Sequence, residues 1–364
     1  MKSSIKYFII VLLHCSFLFL LGCANKINFI AISTSNNNLG GLYQVNGNEI
    51  KQIISLPYSN YIIKQQDKYF VTLGRSSSSK NSAIAVVKRQ PNNSFVLEEI
   101  NTYPIKVACH LTLSKDNQYL YTANYSSSSI AQIKLKNLTL TNDVKIIKHH
   151  GKSVTKRQKS SHPHQVLFNP KGDKLFVCDL GCDKVFIYDY DKNFGIDQNK
   201  VTTLLLAPGS GPRHLVFSLD SKAIFVNCEL NSTVVSFALD EKSNTWKQGL
   251  TLSTLNKNAI EKGNYPGAIK ISSCGKYFFV TNRGHDSIAI YKVLEQGNFA
   301  LLDVVKTKSK YPSDILLLNN DTTLAVVGLK SNIISFFTFD KSKETLIPLE
   351  REIPIAKGIS LGGY

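Results

Sequence analysis

The chain has 364 residues, with 43 Lys or Arg against 26 Asp or Glu, so its formal net charge at pH 7 is +17. A basic surface of this size favours anionic partners: nucleic acid, anionic lipid or small acidic substrates. The sequence has none of the usual nucleic-acid-binding motifs, which argues against nucleic acid as the partner. Small anionic metabolites and envelope lipids remain.

The N-terminal segment has the pattern of a bacterial signal peptide. Lys2 and Lys6 form a short basic region, and the residues from Tyr7 to Leu21 are almost wholly apolar. This apolar run is shorter than the roughly 20 residues that a membrane-spanning helix needs, so we expect the segment to be cleaved. Loss of the two lysines would leave the mature chain with a net charge of +15.

The end of the apolar run, LLGC at residues 20–23, resembles the bacterial lipobox, in which the cysteine is lipidated and becomes the first residue of the mature protein. We therefore predict a lipoprotein signal peptide over residues 1–22, lipidation of Cys23, and a single domain over residues 23–364. The chain is then exported and anchored by lipid at the periplasmic face of the cell envelope. Ala24 is not acidic, which by the same resemblance favours the outer membrane. An uncleaved signal anchor with a buried cysteine is the alternative.

The mature chain contains six copies of one pattern. A short apolar strand, a polar turn and a strand rich in β-branched and aromatic residues follow one another, as in the turn NPKGD at residues 169–173, and a further strand such as VFIY at 185–188 comes next. This succession is typical of a β-meander. The copies lie roughly 46 to 55 residues apart, close to the spacing of about 40–50 residues of propeller blades. They begin near Asn60, Ala108, His162, Gly211, Tyr265 and Tyr311.

These repeats predict an all-β fold, a seven-bladed β-propeller. A four-stranded sheet can bury both of its faces when it packs between neighbouring sheets around a common axis. The mature chain has no long segment with a helical period of 3.6 residues, which argues against helix bundles and α/β folds. We expect the seventh blade to be composite, with residues 29–45 paired to a C-terminal strand near residues 346–355.

Four motifs resemble those of the lactonase β-propeller family, which includes the 6-phosphogluconolactonases and the fungal carboxymuconate cycloisomerases. They are TANY at residues 122–125, HPH at 162–164, GSGPRH at 209–214 and NRGHDS at 282–287. The dipeptide RQ at 157–158 and GGLY at 40–43 are also similar to the family pattern. The resemblance covers most of the mature chain, and the two six-residue motifs are its most specific part.

The resemblance implies a catalytic site of four residues. They are His164 from the HPH motif, Arg213 from GPRH, Glu229 at the end of the next strand and Arg283 from NRG. The repeat supports this set, because His164 and Arg213 stand at one position of the repeat and Glu229 and Arg283 at another. Equivalent positions of a propeller lie on rings around its axis, so these side chains can converge on a central mouth.

Two further histidines stand one position after the proposed catalytic one in the repeat. His110 and His214 would point away from the channel if the strand alternates cleanly, which favours roles in the core or in tying loops. His214 directly follows Arg213 and is also a candidate substrate-binding residue, together with Arg213 and Arg283. The cysteines beyond the lipobox are expected to be small buried residues. They are Cys109, Cys178, Cys182, Cys228 and Cys274.

By resemblance, the function is hydrolysis of a small anionic lactone, as in 6-phosphogluconolactonases, or the related carboxymuconate cycloisomerisation. Hydrolysis needs a base for the attacking water and positive charge near the developing oxyanion. Either Glu229 or His164 is the base, and Arg213 and Arg283 bind a phosphate or carboxylate and stabilise the oxyanion. The expected substrate is a sugar-phosphate lactone or a carboxylated lactone. No cofactor or metal site is predicted, since the sequence has no Gly-rich phosphate loop and no His/Cys metal spacing.

Two alternatives accompany this interpretation. The four site residues can instead form a structural ring of ion pairs. The chain can also be a non-catalytic exported lipoprotein propeller that binds envelope proteins or ligands, with which the lipobox and the basic surface agree. The basic segment at residues 145–159 is expected to be a solvated loop between blades.

Overall fold

The structure, a computed structural model, describes residues 27–74, 81–256 and 263–364. These ranges form β-strands and two short 3-10 turns, Tyr125–Ser127 and Glu295–Gly297. The predicted signal peptide, residues 1–22, and the predicted lipidation site Cys23 lie outside the described residues. Within those three ranges, no helix is both long enough and apolar enough to cross a bilayer.

The strands form seven antiparallel sheets of four strands, and this confirms the predicted seven-bladed β-propeller. Six blades are continuous in sequence, and their first strands contact one another around the central channel. Blade 1 contains β4 (Ser59–Gln65), β5 (Lys68–Leu73), β6 (Ser82–Arg89) and β7 (Phe95–Tyr103), and blade 2 contains β8 (Ala108–Leu113), β9 (Tyr119–Asn124), β10 (Ser129–Lys136) and β11 (Thr139–Lys148). Blade 3 contains β12 (Pro163–Phe168), β13 (Lys174–Asp179), β14 (Lys184–Asp191) and β15 (Gly195–Leu205), and blade 4 contains β16 (Pro212–Phe217), β17 (Ala223–Cys228), β18 (Thr233–Asp240) and β19 (Thr245–Ser253). Blade 5 contains β20 (Tyr265–Ile271), β21 (Tyr277–Arg283), β22 (Ser287–Val293) and β23 (Phe299–Lys306), and blade 6 contains β24 (Pro312–Leu318), β25 (Thr323–Gly328), β26 (Ile333–Asp340) and β27 (Thr345–Pro354).

The seventh blade is composite, as predicted, but its closing strand is not the predicted one. Its strands are β28 (Gly358–Gly363), β1 (Asn28–Ser33), β2 (Gly41–Asn46) and β3 (Glu49–Ser55), in that order from the channel outward. Residues 346–355 instead belong largely to β27, the outer strand of blade 6. The glycines explain why the short β28 takes the inner place. A Cβ atom at Gly358 would lie 2.5 Å from Val327 Cγ2, and one at Gly362 would lie 2.9 Å from Ile62 Cγ2.

Each interface between neighbouring blades has its own apolar cluster. Phe176, Val185 and Ile224, for example, pack together between blades 3 and 4, whereas Phe29 and Phe336 belong to the cluster between the composite blade and blade 6. Seven such clusters surround the axis, and each buried strand face contributes to one of them. Packing sheet against sheet in a ring therefore buries faces that a lone four-stranded sheet would expose to water.

The first strand of each of blades 1 to 6 carries a β-bulge near its channel end. In blade 4, Pro212 pairs with Cys228 and His214 with Asn227, so that Arg213 is an extra residue with no partner across the ladder. His164 is the extra residue of blade 3, because Pro163 pairs with Asp179 and Gln165 with Cys178. The same shift occurs in the other continuous blades. A bulge interrupts the alternation of side chains and is a common device for aiming side chains into sites.

Candidate active site

All seven blades contribute to a cavity of about 210 Å³ at one mouth of the channel. Most of its wall comes from the bulged ends of the first strands, and the rest from residues at or just beyond the ends of second strands. The lining residues are Asn60, Tyr61, Cys109, His164, Arg213, His214, Arg283, Tyr311, Ser313, Asp314, Leu329, Ile359 and Ser360. A larger groove of about 530 Å³ lies elsewhere, near Leu219 and Leu294, and contains none of the predicted site residues.

The four residues predicted as catalytic meet beside this cavity. Arg213 Nη1 donates a hydrogen bond to Glu229 Oε2 at 2.7 Å, and Arg283 Nη2 forms an ion pair with the same oxygen at 2.6 Å. Arg213 Nη1 also donates to His164 Nε2. Glu229 is 2% exposed, and His164 and Arg283 are each 8% exposed. The two strand positions singled out by the repeat therefore converge in space.

A third guanidinium, which was not predicted as a site residue, completes the cluster. Arg157 lies in the loop between β11 and β12, and its Nη1 donates to Glu229 Oε1 at 2.5 Å. Its Nη2 donates to the Tyr125 hydroxyl at 3.2 Å. The neighbouring Gln158 is fully buried and donates to Asp183 Oδ1 at 2.7 Å. The expectation of a solvated loop is therefore wrong for this part of the segment, because a buried anchor directs Arg157 to the site. The RQ dipeptide was the available sequence signal.

Backbone carbonyls of blade 5 hold two of the guanidinium groups in place. Arg213 Nε donates to Gly267 O at 3.1 Å, and Arg283 donates through Nε to Tyr265 O at 3.0 Å and through Nη2 to Pro266 O at 3.3 Å. Gly267 stands at the repeat position that Arg213 occupies in blade 4. A Cβ atom there would lie 2.6 Å from Thr281 Oγ1 and 3.2 Å from Arg283 Nε. The glycine thus leaves the space that the arginines fill.

The cluster has more positive than negative charge. Three guanidinium groups surround one carboxylate, an excess of two positive charges. Burial alone would raise the pKa of Glu229, but the charges of Arg283 and Arg213 outweigh burial and hold this pKa well below the usual 4.5. Burial, and then the nearby Arg283, lowers the pKa of Arg213 to about 10. Glu229 is therefore ionised near neutral pH, and the excess charge is available to an anion entering the cavity.

His164 is neutral and its tautomer follows from its neighbours. Burial, and then the charge of Arg213, holds the pKa of His164 well below the usual 6.5. Because a guanidinium only donates, Nε2 of His164 must accept the hydrogen bond from Arg213, which leaves the proton on Nδ1. His164 Nδ1 lies 3.9 Å from Cys109 Sγ. Cys109, predicted from the sequence only as a small buried residue, also lines the cavity, and burial raises the pKa of its thiol to about 12.

The predictions for His110 and His214, the two neighbouring histidines, have different outcomes. His110 is 3% exposed and stacks on Tyr61 with 4.1 Å between ring centroids, as expected for a core residue. His214 lines the cavity and lies 5.2 Å from the His164 ring, so the prediction that it points away from the channel is wrong. The bulge at Arg213 is the reason, since it breaks the alternation on which that prediction relied. Among the described residues, no group of three or more His, Cys, Asp or Glu is arranged to hold a metal ion.

The fold and this cluster define a β-propeller with buried, positively charged side chains beside its axial cavity, and comparison with known proteins identifies its family. The profile of the family described as "Lactonase, 7-bladed beta-propeller" matches residues 37–361. The chain belongs to this family.

Its relatives include both uncharacterised and named proteins. An uncharacterised protein of Lactococcus lactis is 32% identical over 243 residues, which cover 65% of this chain and 69% of that protein. A Bacillus subtilis protein named 6-phosphogluconolactonase is 27% identical over 250 residues, which cover 68% of this chain and 70% of the relative. Among solved structures, the periplasmic gluconolactonase of Pseudomonas aeruginosa has a TM-score of 0.83 at 23% identity, over 92% of this chain and 98% of that one. This last likeness concerns the fold.

Proposed function

We propose that this protein hydrolyses a small anionic lactone in the axial cavity, with His164, Arg213, Glu229 and Arg283 as its catalytic residues. The observation that carries the proposal is that three guanidinium groups share the buried carboxylate of Glu229. The cluster therefore has an excess positive charge, and it lies beside an open cavity. Membership of the lactonase family and the name of the Bacillus relative support the same reaction class. They do not favour the non-catalytic alternative.

Of the two candidate bases, His164 fits better than Glu229. Both oxygens of Glu229 are engaged by guanidinium groups, and its pKa is held well below the usual value, so the carboxylate is a weak base. His164 is neutral near pH 7, and its acceptor nitrogen, Nε2, contacts one guanidinium group, that of Arg213, whereas Glu229 is shared by three. An anion on Arg213 also offsets the positive charge that lowers the pKa of His164, which strengthens the base when substrate is present.

The hydrolytic step then assigns one task to each group. Water attacks the lactone carbonyl carbon while His164 Nε2 takes the proton from that water. The developing oxyanion is stabilised by Arg283, which carbonyl oxygens of blade 5 hold fixed. The ring C–O bond breaks, and the proton on His164 passes to the leaving alkoxide. The resulting hydroxy acid loses its carboxyl proton to solvent, and its carboxylate lies beside the arginines. Glu229 keeps the guanidinium groups apart and oriented.

The finer parts of the proposal concern substrate and location. The substrate is a sugar-phosphate lactone or a carboxylated lactone. Arg213 binds its anionic group, Arg283 binds its carbonyl oxygen, and His214 contacts the substrate in the cavity. The chain is exported and held at the membrane by lipid on Cys23. The structural neighbour from Pseudomonas that is named a periplasmic gluconolactonase is consistent with export. Replacement of Cys23 by Ser should release the protein from the membrane fraction of cells, and retention there would contradict the lipid anchor.

The direct test is hydrolysis of 6-phosphogluconolactone and of δ-gluconolactone by the purified protein, corrected for spontaneous ring opening. Arg213→Ala should abolish most of the acceleration, because it removes an anion-binding group and a contact of His164. Lys222→Ala is the matched control, since the Lys222 side chain forms an exposed ion pair with Glu241 and does not line the axial cavity, and it should retain full activity. Absence of acceleration by the wild type on these lactones and on muconolactones would favour the binding propeller.

A further inference from the structure

The chain enters the propeller at the end opposite the axial cavity. In each blade the first strand begins at the mouth of the channel, and the second strand runs back toward it. β1 is the second strand of the composite blade, and its last residue, Ser33, pairs with Gly358, which precedes the cavity residue Ile359. Its first residue, Asn28, therefore lies at the other end of the propeller. We call this end the far face; it consists of the turns that join first to second and third to fourth strands.

The proposed lipid anchor leaves little chain between the membrane and the far face. Cys23 precedes Asn28 by five residues, and an extended chain spans at most about 3.6 Å per residue, so this tether reaches roughly 18 Å. A six-residue strand is itself about 20 Å long, and the connections at the mouth, up to 14 residues long, lie beyond the strand ends. An orientation with the mouth on the bilayer would need the tether to be fully extended or longer. The tether therefore holds the far face, and not the mouth, at the membrane.

The far face exposes large apolar side chains. Leu219, in the turn between β16 and β17, is 62% exposed, and Leu294, between β22 and β23, is also exposed. Both line one groove of about 530 Å³ between blades 4 and 5. Phe194, between β14 and β15 of blade 3, is exposed on the same face. Apolar side chains grouped on one face are typical of a surface that contacts a partner or a membrane.

The two ends of the propeller differ in charge. Within residues 27–74, 81–256 and 263–364, the turns of the far face contain eight Lys against eight Asp or Glu. The connections at the mouth contain nine Lys or Arg against three Asp or Glu, and the strand ends add Arg213 and Arg283. A neutral face with exposed apolar side chains suits the interfacial region of a bilayer. The basic mouth suits the aqueous side, where it attracts anionic solutes.

We propose that the far face lies on the lipid bilayer, with Leu219, Leu294 and Phe194 in its interfacial region and the mouth directed away from it. The inference rests on the proposed lipid anchor and gives that anchor an orientation. Because the anchor makes contact between the far face and lipid an intramolecular event, a small apolar patch is sufficient to maintain it. The substrate then reaches the axial cavity from the aqueous phase and not from the bilayer.

A native thiol allows the orientation to be measured. Cys274 is exposed in the turn between β20 and β21 and lines the same groove as Leu219. The full-length protein is purified from membranes, labelled with a fluorophore at Cys274 and reconstituted in vesicles of phosphatidylcholine and phosphatidylglycerol that contain nitroxide-labelled lipid. The comparison is the double variant Cys274→Ser, Val154→Cys, because Val154 is 73% exposed in the connection at the mouth between β11 and β12. Labelling of Cys274→Ser alone gives the background from the other thiols.

The label at Cys274 should be quenched several-fold more strongly than the label at position 154, because the strands separate the two faces by about 20 Å. The double variant Leu219→Ser, Leu294→Ser should reduce the quenching of the Cys274 label toward the level at the mouth, since it removes apolar area that holds the face on lipid. Both leucines are exposed, so folding should change little. Val154→Ser is the matched control and should leave the quenching unchanged.

Mass spectrometry of the same preparation separates this inference from the anchor. A chain that has no lipid on Cys23 and stays in solution refutes both the anchor and the orientation. A lipidated chain whose two labels are quenched equally, or whose mouth label is quenched more, refutes the orientation alone. So does a Cys274 label that neither lipid nitroxide nor aqueous iodide quenches, which would show that protein covers the far face. Unchanged quenching in Leu219→Ser, Leu294→Ser would refute the apolar contact. None of these measurements depends on lactone hydrolysis.

Discussion

Replacement of Glu229 by Gln tests the electrostatic reasoning about the site most directly. The substitution preserves shape but removes the one negative charge that faces Arg157, Arg213 and Arg283. The Arg157 side chain is 43% exposed, so water compensates for most of the loss of its counter-ion, while the side chains of Arg213 and Arg283 are 13% and 10% exposed. Two buried guanidinium groups would therefore lose their counter-ion. Removing one partner of a buried ion pair typically costs about 3–5 kcal/mol of unfolding free energy.

Thermal unfolding of the purified variant at pH 7 measures this cost. For a protein of this size we expect the melting temperature to fall by roughly 6–10 °C, at about 2 °C per kcal/mol. Glu241→Gln is the matched control, because Glu241 pairs with Lys222 on the exposed surface, and its effect should stay within about 0.5 kcal/mol. Phosphate should stabilise Glu229→Gln more than the wild type, since the uncompensated arginines bind it more tightly.

The difference in unfolding free energy between the wild type and Glu229→Gln should depend on pH in a defined direction. The pKa of Glu229 is depressed in the folded protein, so its contribution is fully present above the unfolded carboxyl pKa of about 4.3 and is lost as the pH falls through the folded value. The gap between wild type and Glu229→Gln should thus be equal at pH 7 and pH 5 and shrink only at lower pH. A variant within about 1 kcal/mol of the wild type at pH 7 would refute the account of Glu229 as a buried counter-ion.

Three other predictions concern Arg157, His164 and the closing strand. Arg157→Gln should raise the KM for 6-phosphogluconolactone roughly tenfold or more, because it removes a charge-assisted contact with the anionic substrate. Thermal stability should change little, since Arg157 is partly exposed. An unchanged KM would place Arg157 outside the site. The pH profile of kcat/KM should stay flat from pH 7 down through 6.5, because the pKa of His164 is held well below that value, and a decline centred near 6.5 would contradict the depressed pKa. Deletion of residues 358–364 removes β28 and should abolish cooperative thermal unfolding, whereas a normal transition would show that ring closure is dispensable.

The sequence predicted the architecture because its signal is repeated. Each blade has the same strand and turn pattern, and errors at one copy are corrected by the others. The same repeat placed His164 with Arg213 and Glu229 with Arg283, and the structure brings all four together. Their catalytic roles stay a prediction.

What the sequence did not predict departs from the repeat. Arg157 reaches Glu229 from a loop, so no strand position marked it, and its placement depends on the buried Gln158–Asp183 contact. His214 faces the cavity because of a bulge, which a two-residue period cannot show. The closing strand was misplaced because residues 346–355 have the apolar pattern of a strand, whereas the segment GISLGG at 358–363 is short and rich in glycine. Its glycines Gly358 and Gly362 are needed because a larger side chain would clash with Val327 and Ile62, which are distant in sequence.

Strand β28 both completes the ring and forms part of the cavity wall, through Ile359 and Ser360. Residues more than 300 positions apart meet at this seam, where Ser33 Oγ donates to Ala356 O at 2.5 Å. A ligand that fills the cavity would contact the seam and several other blades at once, and would therefore hold the closing strand to the rest of the ring. Because it binds only the closed ring, ligand occupancy and closure are thermodynamically linked, and saturating ligand should slow amide exchange along β28.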